Sequence, residues 1–404
     1  MTVELINTMN NSSPLPSGLL QPWINEFDEI RGFFDEEVHP SVTRLCSDKD
    51  FTALLTSFFS LTQSNNKDCE HQGNLKQSLE STFTRLHNIT SIATLQELTI
   101  LIASPIIDMT ISHLSFSGLD KLPTDKHYLF ISNHRDILTD PLLLNVLLHK
   151  HNYKTAHCAI GDNLLQNHIA LEIALLNKCF KILRSLTSPR AILKAMKLQA
   201  TYIRHLSFNQ SANIWIAQKE GRSKDNLDKT NPTLIKMLGL AKPKDMLFGE
   251  YIKELNIIPV SFSYEWDPCD IDKATELEIT EQQGHYKKES IEDFTAVKKG
   301  LLQAKGSVHV HFGSELLGQN IDQMKHVEIA ELIDQSIAQN SQVYPVNIAA
   351  ALAIGSKNSN DINTTLFSEN EIEEASEALE RRLENCSEKI RTRVLMNYAT
   401  PIIR

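Results

Sequence analysis

Most signatures that announce a chemistry are missing from this 404-residue chain. Its six cysteines (Cys46, Cys69, Cys158, Cys179, Cys269 and Cys386) are scattered and include no C-x-x-C pair. That argues against a zinc ribbon or a disulfide framework, and for a reducing compartment. There is no G-x-S-x-G elbow, no G-x-x-x-x-G-K-[ST] loop and no G-x-G-x-x-G fingerprint, which sets aside elbow hydrolases, P-loop nucleotide chemistry and the Rossmann dinucleotide site. Long apolar runs are missing too. The longest, LTILIASPII at 98–107, ends in Asp108, short of the roughly 18–20 residues of a spanning helix, so no transmembrane segment is expected. The start of the chain carries Glu4 and no basic-then-apolar pattern, so no export signal is expected. Positive charge is also short: the net charge of −10 argues against general nucleic-acid binding.

What remains has the make-up of an ordinary globular protein, 41% hydrophobic and 22% charged, and is long enough for one large core or two domains. Residues 1–23, rich in Asn, Ser and Pro, are expected to form a loose tail. Over 24–114 apolar residues recur at three- and four-residue spacing, in WINEFDEIRGFF and VTRLCSDKDFTALLTSFFSL, which predicts an α-helical region. Near Gly118 the text changes. Short apolar runs (HYLFIS, TAHCAIG, CFKIL, NIWIAQ, NIIPVSFS, SVHVHFG) alternate with helical segments such as PLLLNVLLHK and SPRAILKAMKLQATYIRHL. Strands alternating with helices predict an α/β domain over 115–320, a mixed, largely parallel sheet flanked by helices. Residues 321–404 read as a helical C-terminal region. Ser188 and Pro189 suit a helix cap and the first helical position.

Three features stand out. In ISNHRDILTD (131–140), His134 follows a strand and precedes a helix, the usual place for ligand sites in open α/β sheets. A histidine there can serve as a general base if a carboxylate steadies its imidazolium. Asp136 and Asp140 are both within reach, and Asp140 is also the natural N-cap if Pro141 starts the helix. In IAQKEGRSKD (216–225), a strand runs into Glu220, Gly221 and Arg222, then Lys224. The glycine allows a tight turn, and the two cations present donors suited to phosphate. Finally, Ile173 to Lys219 holds eight basic residues and no acidic one: Lys178, Lys181, Arg184, Arg190, Lys194, Lys197, Arg204 and Lys219. Four of these share one face of the helix beginning near Ser188, which suggests an anionic partner: a phosphate-bearing substrate, an anionic membrane or an acidic carrier protein. Other candidates read as bland. The H-x-H pairs His149/His151 and His309/His311 lack a third metal ligand, so no metal is expected. The loop around Asp225 and Asp228 reads as solvated.

In this order the segments resemble the four blocks of the glycerolipid acyltransferase family, which includes bacterial glycerol-3-phosphate and lysophosphatidate acyltransferases. The blocks are NHRDILTD, CFKILRS with Arg184, IAQKEGRS, and NIIPVSFSYE with Pro259. The resemblance covers roughly 115–315. Two departures are visible. The histidine block reads H-x5-D rather than the family's H-x4-D, and the third block reads E-G-R, with Arg222 one place early. The resemblance implies transfer of a fatty acyl group from acyl-CoA or acyl carrier protein, as co-substrate and with no bound cofactor, to 1-acylglycerol 3-phosphate or glycerol 3-phosphate in phospholipid biosynthesis. It makes His134 the base and Asp140, or Asp136, its partner. Arg184, Arg222 and Lys224 bind the acceptor phosphate, and donors near Glu220 and Gly221 meet the developing oxyanion. It also implies a cytoplasmic protein in peripheral contact with an anionic membrane. The rival expectations are an acyltransferase for another hydroxyl acceptor and a catalytically silent lipid- or carrier-binding protein.

Overall fold

The computed structural model describes residues 26–64, 75–286, 290–316, 321–355 and 363–403. The tail expected over 1–23 lies outside them. The described helices and strands begin with α1 (Asp35–Ser47), α2 (Lys49–Ser64), α3 (Leu75–His87) and α4 (Ile92–Thr110). Then come β1 (Ile111–Ser117), β2 (Leu129–Ser132), α5 (Thr139–Lys150), β3 (His157–Gly161), α6 (His168–Leu176), β4 (Cys179–Ile182), α7 (Pro189–Arg204) and β5 (Ile214–Ala217). They continue through α8 (Pro232–Leu238), α9 (Phe248–Glu254), β6 (Ile257–Tyr264), α10 (Asp270–Gln283), α11 (Ser290–Leu302) and β7 (Gly306–Phe312). Four helices close the chain: α12 (His326–Gln339), α13 (Pro345–Ala353), α14 (Glu369–Leu383) and α15 (Glu388–Ile403). The result is a mixed, largely parallel α/β architecture with helical regions at both ends, as the sequence predicts. By compactness the chain divides into two units, each drawn from two stretches: 1–109 with 145–216, and 110–144 with 217–404.

In the first unit, α1, α3 and α4 share a core with α6, built from Val38, Val42, Leu45, Leu86, Leu95, Leu98, Ile169 and Leu176. Asp35, Glu36 and Glu37 crowd the first turn of α1, where the helix dipole favours negative charge. Against the sequence expectation, α4 is long and apolar enough to cross a membrane, by length and composition only. It also has the make-up of a core helix. Leu95 and Leu98 face the core, while Glu97, Leu101, Pro105 and Asp108 line its exposed side. Strands order as β5-β3-β4, all parallel. Ser188 caps α7 by accepting from the Ala191 amide at 3.3 Å, with Pro189 in the first turn. The inner face of α7 is buried at Ala195, Gln199, Tyr202 and Ile203, and its outer face carries Arg190, Lys194 and Lys197.

In the second unit the strands order as β1-β7-β6-β2, parallel except for the β6/β7 pair. β1 is a correction to the helical reading, which ran to residue 114. Ile111–Ser117 pairs in parallel with Gly306–His311, with a register shift between Ile111 and His113, so the last part of that region is sheet. β1 ends at Gly118, whose φ of +82° needs glycine; a Cβ there would also lie 2.0 Å from the Phe312 carbonyl oxygen. His309 and His311 share one face of β7 and hydrogen-bond Ser115 and Ser117 of β1, a polar strand face. All eight residues of β6 are buried, Ser261 and Ser263 included, so the strand is covered on both faces. The last three helices pack against α10 through Val346, Ile348, Ala350, Leu379, Leu383, Val394 and Tyr398, with Ala274 from α10.

Candidate active site

β2 is Leu-Phe-Ile-Ser, buried at every position. At its end Asn133 continues the pairing with its side chain. Its Nδ2 donates to the Phe262 carbonyl at 3.0 Å, and its Oδ1 accepts from the Phe262 amide at 2.8 Å. The chain therefore leaves the sheet at a fixed point, and the next residue is His134, whose side chain is 13% exposed.

The two aspartates that follow have different partners. Asp136 Oδ1 accepts from the Leu138 amide at 3.1 Å and the Thr139 amide at 2.8 Å, so it caps the start of α5. Asp140 lies inside the first turn and points back. Its Oδ2 accepts from His134 Nδ1 at 2.8 Å, from the Arg135 amide at 2.7 Å and from the Asp136 amide at 3.0 Å. Its Oδ1 accepts from the Tyr264 hydroxyl at 2.8 Å. The N-cap expectation for Asp140 is thus overturned: α5 starts at Thr139, and the cap comes from Asp136. Because an ionised carboxylate only accepts, the contact places the imidazole proton on Nδ1 and directs Nε2 chemistry elsewhere.

Burial shapes the electrostatics. The Asp136 carboxyl is pushed above the usual range by burial first and the charge of Asp140 second; Thr139 and Arg222 oppose this. Burial also holds the Tyr264 hydroxyl well above its ordinary value, with Asp140 and Asp136 adding to the effect. It therefore stays a donor.

The histidine loop is tied to the loop after β5. Arg135 makes a two-pronged pair with Asp228, at 3.0 and 2.6 Å, and both side chains are buried. Asn133 Nδ2 also reaches Asp228 at 3.2 Å, and the Ser223 amide donates to the His134 carbonyl at 2.7 Å. Lys273 donates to the Arg135 carbonyl at 2.7 Å and pairs with Asp267. Asp228, expected to be solvated, is instead a buried partner of the histidine loop. It needed Arg135, 93 residues away, and neither charge reveals the other in the sequence.

The remaining expected site residues are placed as follows. Glu220 and Gly221 are exposed at the turn. Gly221 has φ +76°, and nothing lies within 4 Å of where its Cβ would be. Burial opposes the charge on Arg222, but nearby Cys269, Asp267 and Asp136 outweigh it and hold the guanidinium above its ordinary pKa. Its Nη1 is buried with no hydrogen-bond partner among the described residues. Lys224 pairs with Glu276. Pro259 sits within buried β6 opposite Ile131, and its carbonyl accepts from the Gly313 amide at 2.8 Å. The second unit thus holds His134, Asp136, Asp140, the 220–224 turn and Pro259. Arg184 belongs to the first unit, just after β4, where its amide donates to Asp162 Oδ1 at 3.1 Å. Among the described residues no group of three or more His, Cys, Asp or Glu could hold a metal ion. Sequence reasoning missed Asn133, Arg135, Asp228 and Tyr264. The tyrosine stood inside the quoted fourth segment, but nothing in the text aims it at Asp140.

Comparison with known proteins follows this geometry. Residues 113–261 match the family model described as Acyltransferase. No curated protein matches the chain. Among solved structures, the chain is similar to the 1-acyl-sn-glycerophosphate (LPA) acyltransferase PlsC from Thermotoga maritima, at 14% identity and a TM-score of 0.34. That match covers 71% of this chain and 95% of the other.

Proposed function

We propose that this chain, whose residues 113–261 are an acyltransferase-family domain, moves a fatty acyl group from a thioester to the hydroxyl of 1-acylglycerol 3-phosphate or glycerol 3-phosphate. The observation that carries the reading is the buried Asp140 carboxylate holding His134 Nδ1 at the end of β2. His134 takes the hydroxyl proton at Nε2 as the oxygen attacks the thioester carbonyl, and Asp140 stabilises the imidazolium. The carbon–sulfur bond then breaks, the proton passes to the departing sulfur, and a thiol and an ester result. No acyl-enzyme and no bound cofactor is needed; acyl-CoA or acyl carrier protein enters as co-substrate.

Amides of Gly221 and Arg222 stabilise the oxyanion; the Ser223 amide is already committed to the His134 carbonyl. Arg184 and Arg222 bind the acceptor phosphate and so position its hydroxyl, the former assigned from its place in the second sequence block. Lys224 joins them only by exchanging Glu276 for the phosphate. Arg190, Lys194 and Lys197 on α7, beside Leu193 at 58% exposed and Ile192 at 39%, bring a cytoplasmic protein to an anionic membrane surface or to an acidic acyl carrier.

The test is the lipid product formed when the purified protein meets both donors and both acceptors. Expected is one monoacylated or diacylated phosphate ester, lost in His134→Ala. Transfer that survives His134→Ala removes the base. No transfer by the wild type to either acceptor favours a silent lipid- or carrier-binding protein.

A further inference from the structure

We infer that Tyr264 is a positioning residue for the reaction, fixing the Asp140 carboxylate so that it presents Oδ2 to His134. This rests on the reading of His134 as the base. Both carboxylate oxygens of Asp140 are filled. Oδ2 takes three donors, His134 Nδ1 and the Arg135 and Asp136 amides, and Oδ1 takes the Tyr264 hydroxyl at 2.8 Å. The two amides belong to the same short loop as the histidine and move with it. Tyr264 does not. It is the last residue of β6, opposite Val308 of β7, and the following amide, Glu265, donates to the Ser307 carbonyl at 2.9 Å. The hydroxyl is thus the anchor that ties Asp140 to the sheet rather than to its own loop.

Asp140 is fully buried and Tyr264 is 8% exposed. Without the hydroxyl, Oδ1 is a buried acceptor lacking a partner, and the carboxylate plane is free to turn about its last bond. Asp140 lies within the first turn of α5, and a contact from outside its own loop holds it on the histidine. The charged and titratable groups around the carboxylate are His134, Arg135 and Asp136 from its own loop and Tyr264 from β6. Arg222 acts on Asp136 and Asp267 acts on Tyr264; the Arg135 side chain is taken by Asp228.

Tyr264→Phe keeps the ring and removes only the hydroxyl. In the full-length protein we expect KM for donor and acceptor within about twofold of wild type and kcat lower by about tenfold. The proton resonance of His134 Nδ1–H should move, because the carboxylate oxygen it donates to is no longer held in place. A role confined to packing moves neither kcat alone nor that resonance. As a second measurement, adding Tyr264→Phe to Asp140→Asn should cost less than about twofold further, since the residue acts through the carboxylate. An unchanged kcat and an unchanged Nδ1–H resonance in Tyr264→Phe overturn the inference, as does full additivity with Asp140→Asn. If His134→Ala is as active as wild type, the base reading fails by itself; the His134 Nδ1–H resonance in Tyr264→Phe then still decides whether Tyr264 positions Asp140.

Discussion

The stretch from Lys178 to Lys219 and the surroundings of His134 handle charge in opposite ways. In the first, cations stand on an exposed helix face: Arg190, Lys194 and Lys197 point outward from α7, with no acidic residue between Ile173 and Lys219. In the second, opposite charges are buried together, as Arg135 with Asp228 and Lys273 with Asp267. Buried pairs of this kind add little net stability over an apolar pair, but removing one member is costly because the other stays behind, charged and dry. Exposed cations cost almost nothing to keep and nothing to lose. Charge in one region therefore serves as architecture, and in the other it is available to a partner.

That contrast can be broken at its strongest point first. His134→Ala or Asp140→Asn should lower kcat about 10²–10⁴-fold, the usual contribution of a positioned base, with the unfolding midpoint little changed. Asp228→Ala strands the Arg135 guanidinium and should cost about 3–5 kcal/mol in denaturant unfolding; stability equal to wild type would remove the architectural reading of the pair. Lys305 sharpens the comparison, since among the described residues its ammonium bonds neutral oxygens, of Thr110 and Gln303. Burial, opposed by Asp136 and Cys269, lowers its pKa to about 8 from 10.5. Between those values the unfolded chain binds more protons, so stability should rise with pH by about 3 kcal/mol across the window and level off above it. Lys305→Met should flatten that slope.

Smaller effects follow. Asp136→Asn keeps an oxygen for the start of α5 and should change stability by no more than about 1 kcal/mol, with a rate loss far below that of Asp140→Asn. Smallest of all, Arg190→Ala, Lys194→Ala and Lys197→Ala should each shift stability by less than about 0.5 kcal/mol. Together they should abolish salt-sensitive binding to vesicles containing anionic lipid, measured by co-sedimentation.

The strand–helix alternation, the position of His134 at a strand end and the Ser188–Pro189 start of α7 were all legible, because each depends on residues close in sequence. β1 was not. ISHLSFS follows α4 without a glycine or proline to mark the change, and the pairing that makes it a strand comes from Gly306–His311, nearly two hundred residues on. The division of labour between Asp136 and Asp140 was hidden for a similar reason. It turns on α5 starting at Thr139 rather than Pro141, and on a hydroxyl arriving from β6. Arg222 and Lys224 read as a surface pair for phosphate, yet Cys269, Asp267 and Asp136 act on the first and Glu276 engages the second. Local rules place groups on elements; which charges meet is decided by packing between distant segments.

The two-stretch make-up of each compact unit has a consequence for synthesis. Residues 1–109 find their other half once the chain reaches 216. β1 and β2 both come from 110–144, and their partners follow later: β6 is complete at Tyr264 and β7 at Phe312. A nascent chain therefore carries β2 before β6 and, for longer, β1 before β7, and an unpaired strand is the kind of edge on which aggregation starts and chaperones act.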